Sequence, residues 1–271
     1  MDLSGMVGLT RDLLAAPTSG FYPDSHIVSW INIKKDDLCG KADVLEALVT
    51  TSLQQSVADY NLPSDYTRMK RLEIIKGNSK YECYPQDLKE QDYGVVRQTA
   101  NPPEGYNIWE GKLRLDARPN VGSYTGALSA GVATGGTEFS VKSAAGLPKM
   151  GRMLIDDEVM GWWRLSGNTC VTLSKGLEGT TDASHAVNAT CFFRDTYIYY
   201  NKKDSDLSSM DSSFNIPDQF HPGMCYGAAS IGRNKSKDYE LAQYFESKYD
   251  STVQTAYDWS HYKWRRNYRP K

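Results

Sequence analysis

An abrupt change of composition in the middle of the chain constrains its fold most. Residues 121–136 are rich in Gly, Ala, Ser and Thr, and short apolar segments separated by turn residues follow them up to about Cys191. Several short strands at this spacing are typical of a small β domain. Because helical and strand patterns lie on both sides, the sequence predicts one α+β domain (1–120 plus 192–271) interrupted by an inserted all-β domain (121–191).

The predicted outer domain is a helical bundle with a small antiparallel sheet. Leu3, Met6, Val7 and Leu14 fall on one helical face, and a second helix is predicted from Asp24 or Ser25 to about Val49. The other predicted elements are a hairpin around Gly77-Asn78, a hairpin around Glu110-Gly111, a strand over 196–200, and two final helices starting at Pro217-Asp218 and at Ser236.

Composition and charge exclude several functions. The 271 residues carry 31 Lys and Arg against 33 Asp and Glu, a net charge of -2, which argues against nucleic-acid binding through bulk positive charge. No apolar run approaches the roughly 18 residues of a membrane helix. Residues 1–14 lack a cationic start followed by an apolar core, so no secretory signal is predicted.

The sequence predicts no catalytic residue, cofactor or metal site. The five cysteines and four histidines are scattered, and the cysteines are expected to be free thiols made in a reducing cytoplasm. Asp156-Asp157-Glu158 could ligate a hard cation, but a polar hairpin turn is favoured. Lys175–Thr180 could hold a phosphate, but turns at Gly176 and Gly179 are favoured. His185 is expected to make a loop hydrogen bond.

The C-terminal segment leaves two interpretations open. Lys263, Arg265, Arg266, Arg269 and Lys271 place five cations in the last nine residues, with aromatic residues between them. Such a segment is either a solvated tail or a docking element for an acidic cleft or a nucleic acid. The nearby aromatic residues Trp259, Tyr262 and Trp264 favour docking as much as a tail, because they are costly to expose.

Two sets of motifs resemble phage virion proteins. The order of the outer elements resembles that of tailed-phage head-to-tail adaptor (neck) proteins, over about three-quarters of the chain. Its motifs are Trp30-Ile31-Asn32, residues 59–66, 69–73, 111–115, 197–203 and 216–221, and the long last helix. The inserted part, with residues 145–148, 154–160 and 175–180, is similar to a small β module that recurs in phage virion proteins.

The resemblance implies a structural role without catalysis. Similar adaptors form a dodecameric ring under the portal protein, contact a downstream tail or nozzle protein and let genomic double-stranded DNA pass. It places the chain in the virion neck, after assembly in the host cytoplasm. The resemblance also implies that the C-terminal segment reaches the portal, and the docking residues expected there are Trp259, Tyr262, Trp264, Arg265, Arg266, Tyr268 and Arg269.

Two other functional hypotheses remain open from the sequence. One is a tail or baseplate attachment protein whose β insertion binds a host glycan. The other is a hydrolase that uses Asp156, Asp157 or Glu158.

Overall fold

The computed structural model describes residues 1–16, 20–87, 97–100, 102–120 and 122–267. The chain divides into two compact units. The helical unit comprises Met1–Ala47, Asp65–Arg68 and Asn201–Lys271, and the sheet unit comprises Leu48–Ser64 and Met69–Tyr200. The helices of the described residues are α1 (Leu3–Leu14), α2 (Asp24–Ala42), α3 (His221–Lys235), which a 3-10 turn at Asp218–Phe220 precedes, and α4 (Tyr239–Asn267).

The first sheet has seven strands and is mixed in direction. Its strands are β1 (Glu46–Thr51), β2 (Asp59–Asn61), β3 (Tyr66–Lys76), β4 (Ser79–Pro85), β6 (Gly105–Trp109), β7 (Lys112–Leu115) and β15 (Thr196–Lys202). Their order is β1-β15-β3-β4-β6-β7-β2. The β3–β4 and β6–β7 pairs are antiparallel hairpins, as predicted, whereas β4 and β6 are parallel. Two further strands, β5 (Arg97–Ala100) and β8 (Ala117–Pro119), form a separate parallel pair.

The second sheet has six strands. They are β9 (Thr125–Ala127), β10 (Glu138–Ser140), β11 (Gly151–Ile155), β12 (Glu158–Ser166), β13 (Thr169–Leu177) and β14 (Thr190–Phe193), in the order β10-β13-β12-β11-β14-β9. Neighbouring strands of this sheet are antiparallel, and the register between β12 and β13 shifts between Val159 and Arg164. Independent folding of residues 121–191 stays a prediction.

The predicted helical bundle with a small antiparallel sheet is wrong, because the described chain is mostly β, with two sheets of seven and six strands. The short outer strands, predicted as local hairpins, join into one sheet through non-local pairs such as Tyr84 with Gly105. The predicted second helix is also too long. It ends at Ala42, since Asp43 adopts left-handed backbone angles (φ 53°, ψ 35°), and Glu46–Thr51 then pairs as a strand.

One apolar cluster lies among the helices of the helical unit. The predicted face of α1 is confirmed, since Leu3, Met6, Val7 and Leu14 are all buried in this cluster. The Asp2 side chain caps α1 by accepting a hydrogen bond from the Gly5 amide. Members of the cluster from the other helices include Ile27, Trp30, Ile31, Phe220, Met224, Ala228, Phe245 and Ala256.

The six-stranded sheet has its own apolar cluster around Trp162. The Trp162 ring is 2% exposed and lies edge-on to Phe139, with 6.3 Å between ring centroids. Its Nε1 donates a hydrogen bond to the Pro148 carbonyl at 3.2 Å. The other buried members include Leu128, Val141, Met153, Ile155, Met160 and Phe193.

Candidate functional site

The predicted docking residues lie on α4 and beyond its end. Trp259 is partly buried against the helical cluster, with its ring 5.8 Å from that of Phe220 in an edge-on arrangement. Tyr262 is 63% exposed. The backbone of Trp264, Arg265 and Arg266 continues the helix, while Tyr268 and Arg269 lie outside the described residues.

α4 is long for a globular protein. Its 29 residues span about 44 Å at a rise of 1.5 Å per residue. It begins at Tyr239, where the Asp238 side chain accepts a hydrogen bond from the Leu241 amide at 3.4 Å. The predicted cap at Ser236 is therefore wrong by two residues, because Ser236 follows the end of α3 instead.

Exposed tyrosines recur along α4. Tyr239, Tyr244, Tyr257 and Tyr262 are 65%, 52%, 39% and 63% exposed. The first and third are 18 residues apart, as are the second and fourth, and 18 residues make five turns of an α-helix. The tyrosines therefore form two rows along the helix. Tyrosine is enriched in protein interfaces, so these rows are a candidate contact surface.

Buried polar contacts fix α4 against α2. Tyr249 is fully buried, and its hydroxyl lies 2.9 Å from both the Lys34 carbonyl and Asp37 Oδ2. Burial raises the pKa of Tyr249 far above its ordinary value, so the hydroxyl stays a donor. The Lys34 ammonium lies 2.6 Å from Glu246 Oε1 and 4.4 Å from the Tyr249 ring centroid. These contacts hold the first half of α4 in one position.

α3 approaches α4 closely because it presents glycine there. A Cβ atom at Gly223 would lie 2.3 Å from Thr252 Cγ2, a distance that no side chain tolerates without movement. The two helices therefore pack with almost no side chain between them at this point. This contact supports the middle of α4.

The acidic cluster of the β module forms a buried hydrogen-bond network. Asp156 and Asp157 form the turn between β11 and β12, as predicted. Glu158 is only 1% exposed and accepts hydrogen bonds from the Gly176 and Ala183 amides at 2.8 and 3.1 Å. His185 Nε2 lies 2.8 Å from Glu158 Oε2, and its Nδ1 lies 2.9 Å from Asp156 Oδ2. Glu158 is therefore closed to a substrate.

The glycine turns predicted after Lys175 are confirmed. Gly176 and Gly179 have φ angles of 61° and 81°. The Lys175 ammonium lies 2.6 Å from Asp182 and donates hydrogen bonds to the Ala133 and Ala183 carbonyls. Since this cation is already paired, the loop has a structural role and is no phosphate cradle.

The five cysteines are free thiols, as predicted, and the structure shows that all five are buried. Burial raises the pKa of Cys83, Cys170 and Cys191 to about 12, and that of Cys39 and Cys225 to about 11. Such thiols stay neutral and are poor nucleophiles. Within the part of the chain that the structure describes, no group of three or more His, Cys, Asp or Glu residues could hold a metal ion.

Sequence reasoning missed the tyrosine rows of α4 and the burial of Glu158. The 18-residue spacing of the tyrosines was present in the sequence and could have been found by extending the helical pattern past Ala256. No sequence signal identifies Glu158, because its partners lie 18 to 27 residues away in turns and loops.

Comparison with known proteins identifies the family. The described helices include none that is long and apolar enough to cross a membrane. No curated protein matches the chain. The family model described as "SU10 adaptor protein" matches residues 1–270, almost the whole chain. The chain therefore belongs to the SU10 adaptor protein family, a family of phage structural adaptors.

Proposed function

We propose that this protein is a head-to-tail adaptor in the neck of a phage virion. In this proposal, copies of the chain assemble in the host cytoplasm into a closed ring, a dodecamer, beneath the portal protein. The ring contacts a downstream tail or nozzle protein on its other side and leaves a channel for genomic double-stranded DNA. Head-to-tail contacts between identical subunits generate such closed rings.

The observation that carries the proposal is the form of α4. The helix extends for 29 residues and presents two rows of exposed tyrosines. Its Tyr249 is fixed against α2, and its Thr252 packs against Gly223 of α3. Five cations stand in the last nine residues of the chain. An aromatic and cationic helix end of this kind suits docking into an acidic groove of a partner.

The charge of the chain supports the passage of DNA. A net charge of -2 gives the subunit no general attraction for phosphates, whose binding depends on many Lys and Arg contacts. A ring of such subunits lets the duplex move through it without strong retention. The proposal assigns the cations concentrated at the C-terminus to a protein partner instead.

The proposal is tested by assembling purified protein on purified portal protein. We expect rings in negative-stain images, either of the protein alone or of its complex with portal. Removal of residues 263–271 should lower the affinity for portal by about 100-fold, since several anchors and cations are lost together. The truncation starts after Tyr262 because Trp259 packs against Phe220 and contributes to the helical cluster.

A charge-matched control separates docking from general electrostatics. Replacing Arg265 and Arg266 with Ala should weaken portal binding by about 10-fold or more. Replacing two other consecutive cationic residues, Lys202 and Lys203, with Ala should have little effect. Equal assembly of truncated and intact protein on the portal would refute the docking role. Absence of rings with and without portal would refute the ring.

A further inference from the structure

The sheet unit contains a groove of about 570 Å³ that no step of the proposed function uses. It lies between the turn at Gly77-Asn78 and the segment at Pro148–Gly151. The Asn78 side-chain oxygen accepts a hydrogen bond from the Lys149 amide at 2.9 Å, which fixes these two walls to each other. The volume is within the range of ordinary ligand-binding sites.

The groove has an apolar floor and an apolar rim. Ile75, Trp162 and Leu177 line its floor. Trp163 and Met150 lie at its rim and are 48% and 63% exposed. Two large apolar side chains exposed beside an apolar floor form a surface on which a partner side chain gains much from burial.

The charges in the groove are of one sign. Lys80, Lys149 and Arg152 line it, and no described lining residue carries a carboxylate. This sign contrasts with the net negative charge of the whole chain. An acidic ligand is therefore favoured over a basic one.

The carboxylates next to the lining cations do not cancel this positive charge. Glu73 and Glu178 are almost completely buried, and each is paired with two cations. The pairs are Arg71 and Lys80 with Glu73, and Arg152 and Arg194 with Glu178. Each of these carboxylates is therefore shared between two cations, and the exposed Lys149 adds a further positive charge to the wall of the groove.

A tyrosine of the groove supplies a hydrogen-bond donor. Tyr197 lines the groove, and the residue as a whole is 8% exposed. Burial raises the pKa of Tyr197 to about 12, so the hydroxyl is protonated at neutral pH and can donate. An acceptor oxygen of a ligand is a suitable partner for this hydroxyl.

We propose that this groove binds an acidic segment of another virion protein, with a large apolar side chain on the floor and a carboxylate near Tyr197, Arg152 and Lys149. The volume holds about three or four side chains, which suits a short peptide segment. The groove thus gives the adaptor a docking site additional to its C-terminal end. The site depends on residues of the sheet unit alone, so it stands whether or not α4 binds the portal.

The test uses a displayed library of random dodecapeptides, selected on the intact protein. We expect enrichment of peptides that combine Asp or Glu with Trp, Phe or Leu. The affinity of the enriched consensus peptide is then measured by fluorescence anisotropy. It should fall about 10-fold or more with Trp163→Ala, about 10-fold with Lys149→Glu and about fivefold with Tyr197→Phe. It should also fall as salt is raised.

Matched variants make the result specific to the groove. Trp109→Ala removes a tryptophan of similar exposure, and Lys142→Glu reverses another exposed lysine, and neither residue lines the groove. Both should bind the peptide as the unchanged protein does. Lys149→Glu keeps the test valid if Trp163→Ala fails to fold, because the Lys149 side chain is exposed.

Several results would overturn the proposal. The selection could enrich no peptides, or it could enrich basic or uncharged ones. The consensus peptide could also bind the groove variants and the control variants with equal affinity. Retention of neutral saccharides on a glycan array, lost with Trp163→Ala, would assign the groove to carbohydrate and also overturn it.

Discussion

The two units use buried charged residues differently. In the helical unit a buried lysine forms ion pairs with exposed aspartates, whereas in the sheet unit a buried glutamate accepts hydrogen bonds from main-chain amides of loops. Lys35 of α2 is fully buried, yet its ammonium lies 2.6 Å from Asp206 and 2.9 Å from Asp36, which are 71% and 46% exposed. In the sheet unit Glu158 is buried and accepts two main-chain hydrogen bonds. The buried lysine is therefore paired with carboxylates that remain in contact with water.

This difference shows what each unit depends on. Apolar contacts along the helices hold the helical unit together, so its stability should depend on volume and close packing. The sheet unit depends in addition on a few carboxylates that accept hydrogen bonds from main-chain amides in turns. Single polar substitutions there should therefore lower the free energy of unfolding strongly. The following predictions are ordered by the size of the expected effect.

The largest effect is expected for Phe220→Ala in the helical unit. Phe220 is 2% exposed and contacts Trp259, so its removal leaves a cavity. The free energy of unfolding should fall by about 3–5 kcal/mol, measured by urea denaturation followed by circular dichroism. Phe220→Leu is the control and should cost clearly less. A loss below about 1 kcal/mol for Phe220→Ala would contradict the apolar account of this unit.

The second effect is expected for Glu158→Gln in the sheet unit. The amide keeps the shape of the side chain but removes the charge, and its NH₂ group cannot accept a hydrogen bond from Ala183 or Gly176. The expected loss is about 2–3 kcal/mol of unfolding free energy. Glu110→Gln, on an exposed turn, is the matched control. Equal small effects of both changes would show that the buried carboxylate has no special role.

Gly223→Ala should have a smaller cost, because α3 and α4 must move apart to admit a methyl group beside Thr252. Overpacking at such a contact costs about 1–3 kcal/mol, and the better helix propensity of Ala recovers part of it. Gly8→Ala, in α1 with no atom near the new methyl group, should be neutral or stabilising. A thermal denaturation series that ranks the two variants in the reverse order would disprove the close packing.

The smallest effect concerns the exposed pair Asp59 and Arg114. The hydrogen bond from Arg114 lowers the pKa of Asp59. The stability that this pair contributes is therefore present above about pH 4, the unfolded value, and is lost as the pH falls through the lowered folded value. Asp59→Asn should cost about 0.5 kcal/mol at pH 7.

The pH dependence of this cost provides the check. Unfolding free energies of the unchanged protein and the Asp59→Asn variant should converge as the pH falls from about 4 through the lowered folded pKa of Asp59. A cost that is constant with pH would show that the charge of Asp59 contributes nothing.

Local patterns predicted local structure well. The buried face of α1 and the Glu110-Gly111 hairpin follow from spacing and turn chemistry alone. The end of α2 did not follow, because the left-handed conformation of Asp43 stops a helix whose apolar spacing continues. Leu45 and Leu48 kept the helical spacing but lie after α2, Leu48 in β1.

Features made by distant residues could not be predicted. The seven-stranded sheet depends on pairs such as Tyr84 with Gly105, and the Glu178 carboxylate accepts a hydrogen bond from Thr50, 128 residues away. Periodicity carries no information on such contacts, so the number of strands was underestimated. Of the predicted docking residues, Trp259 is partly buried and packs against the helical cluster, and Tyr268 and Arg269 lie outside the described residues.

The central claim is that copies of this chain form a ring that α4 connects to the portal. The most direct test is a cryo-electron microscopy reconstruction of the protein bound to its portal. We expect a closed ring with an open channel wide enough for duplex DNA and with the C-terminal ends of α4 in contact with the portal. A reconstruction without a ring, or one in which α4 ends on the tail side, would contradict the account.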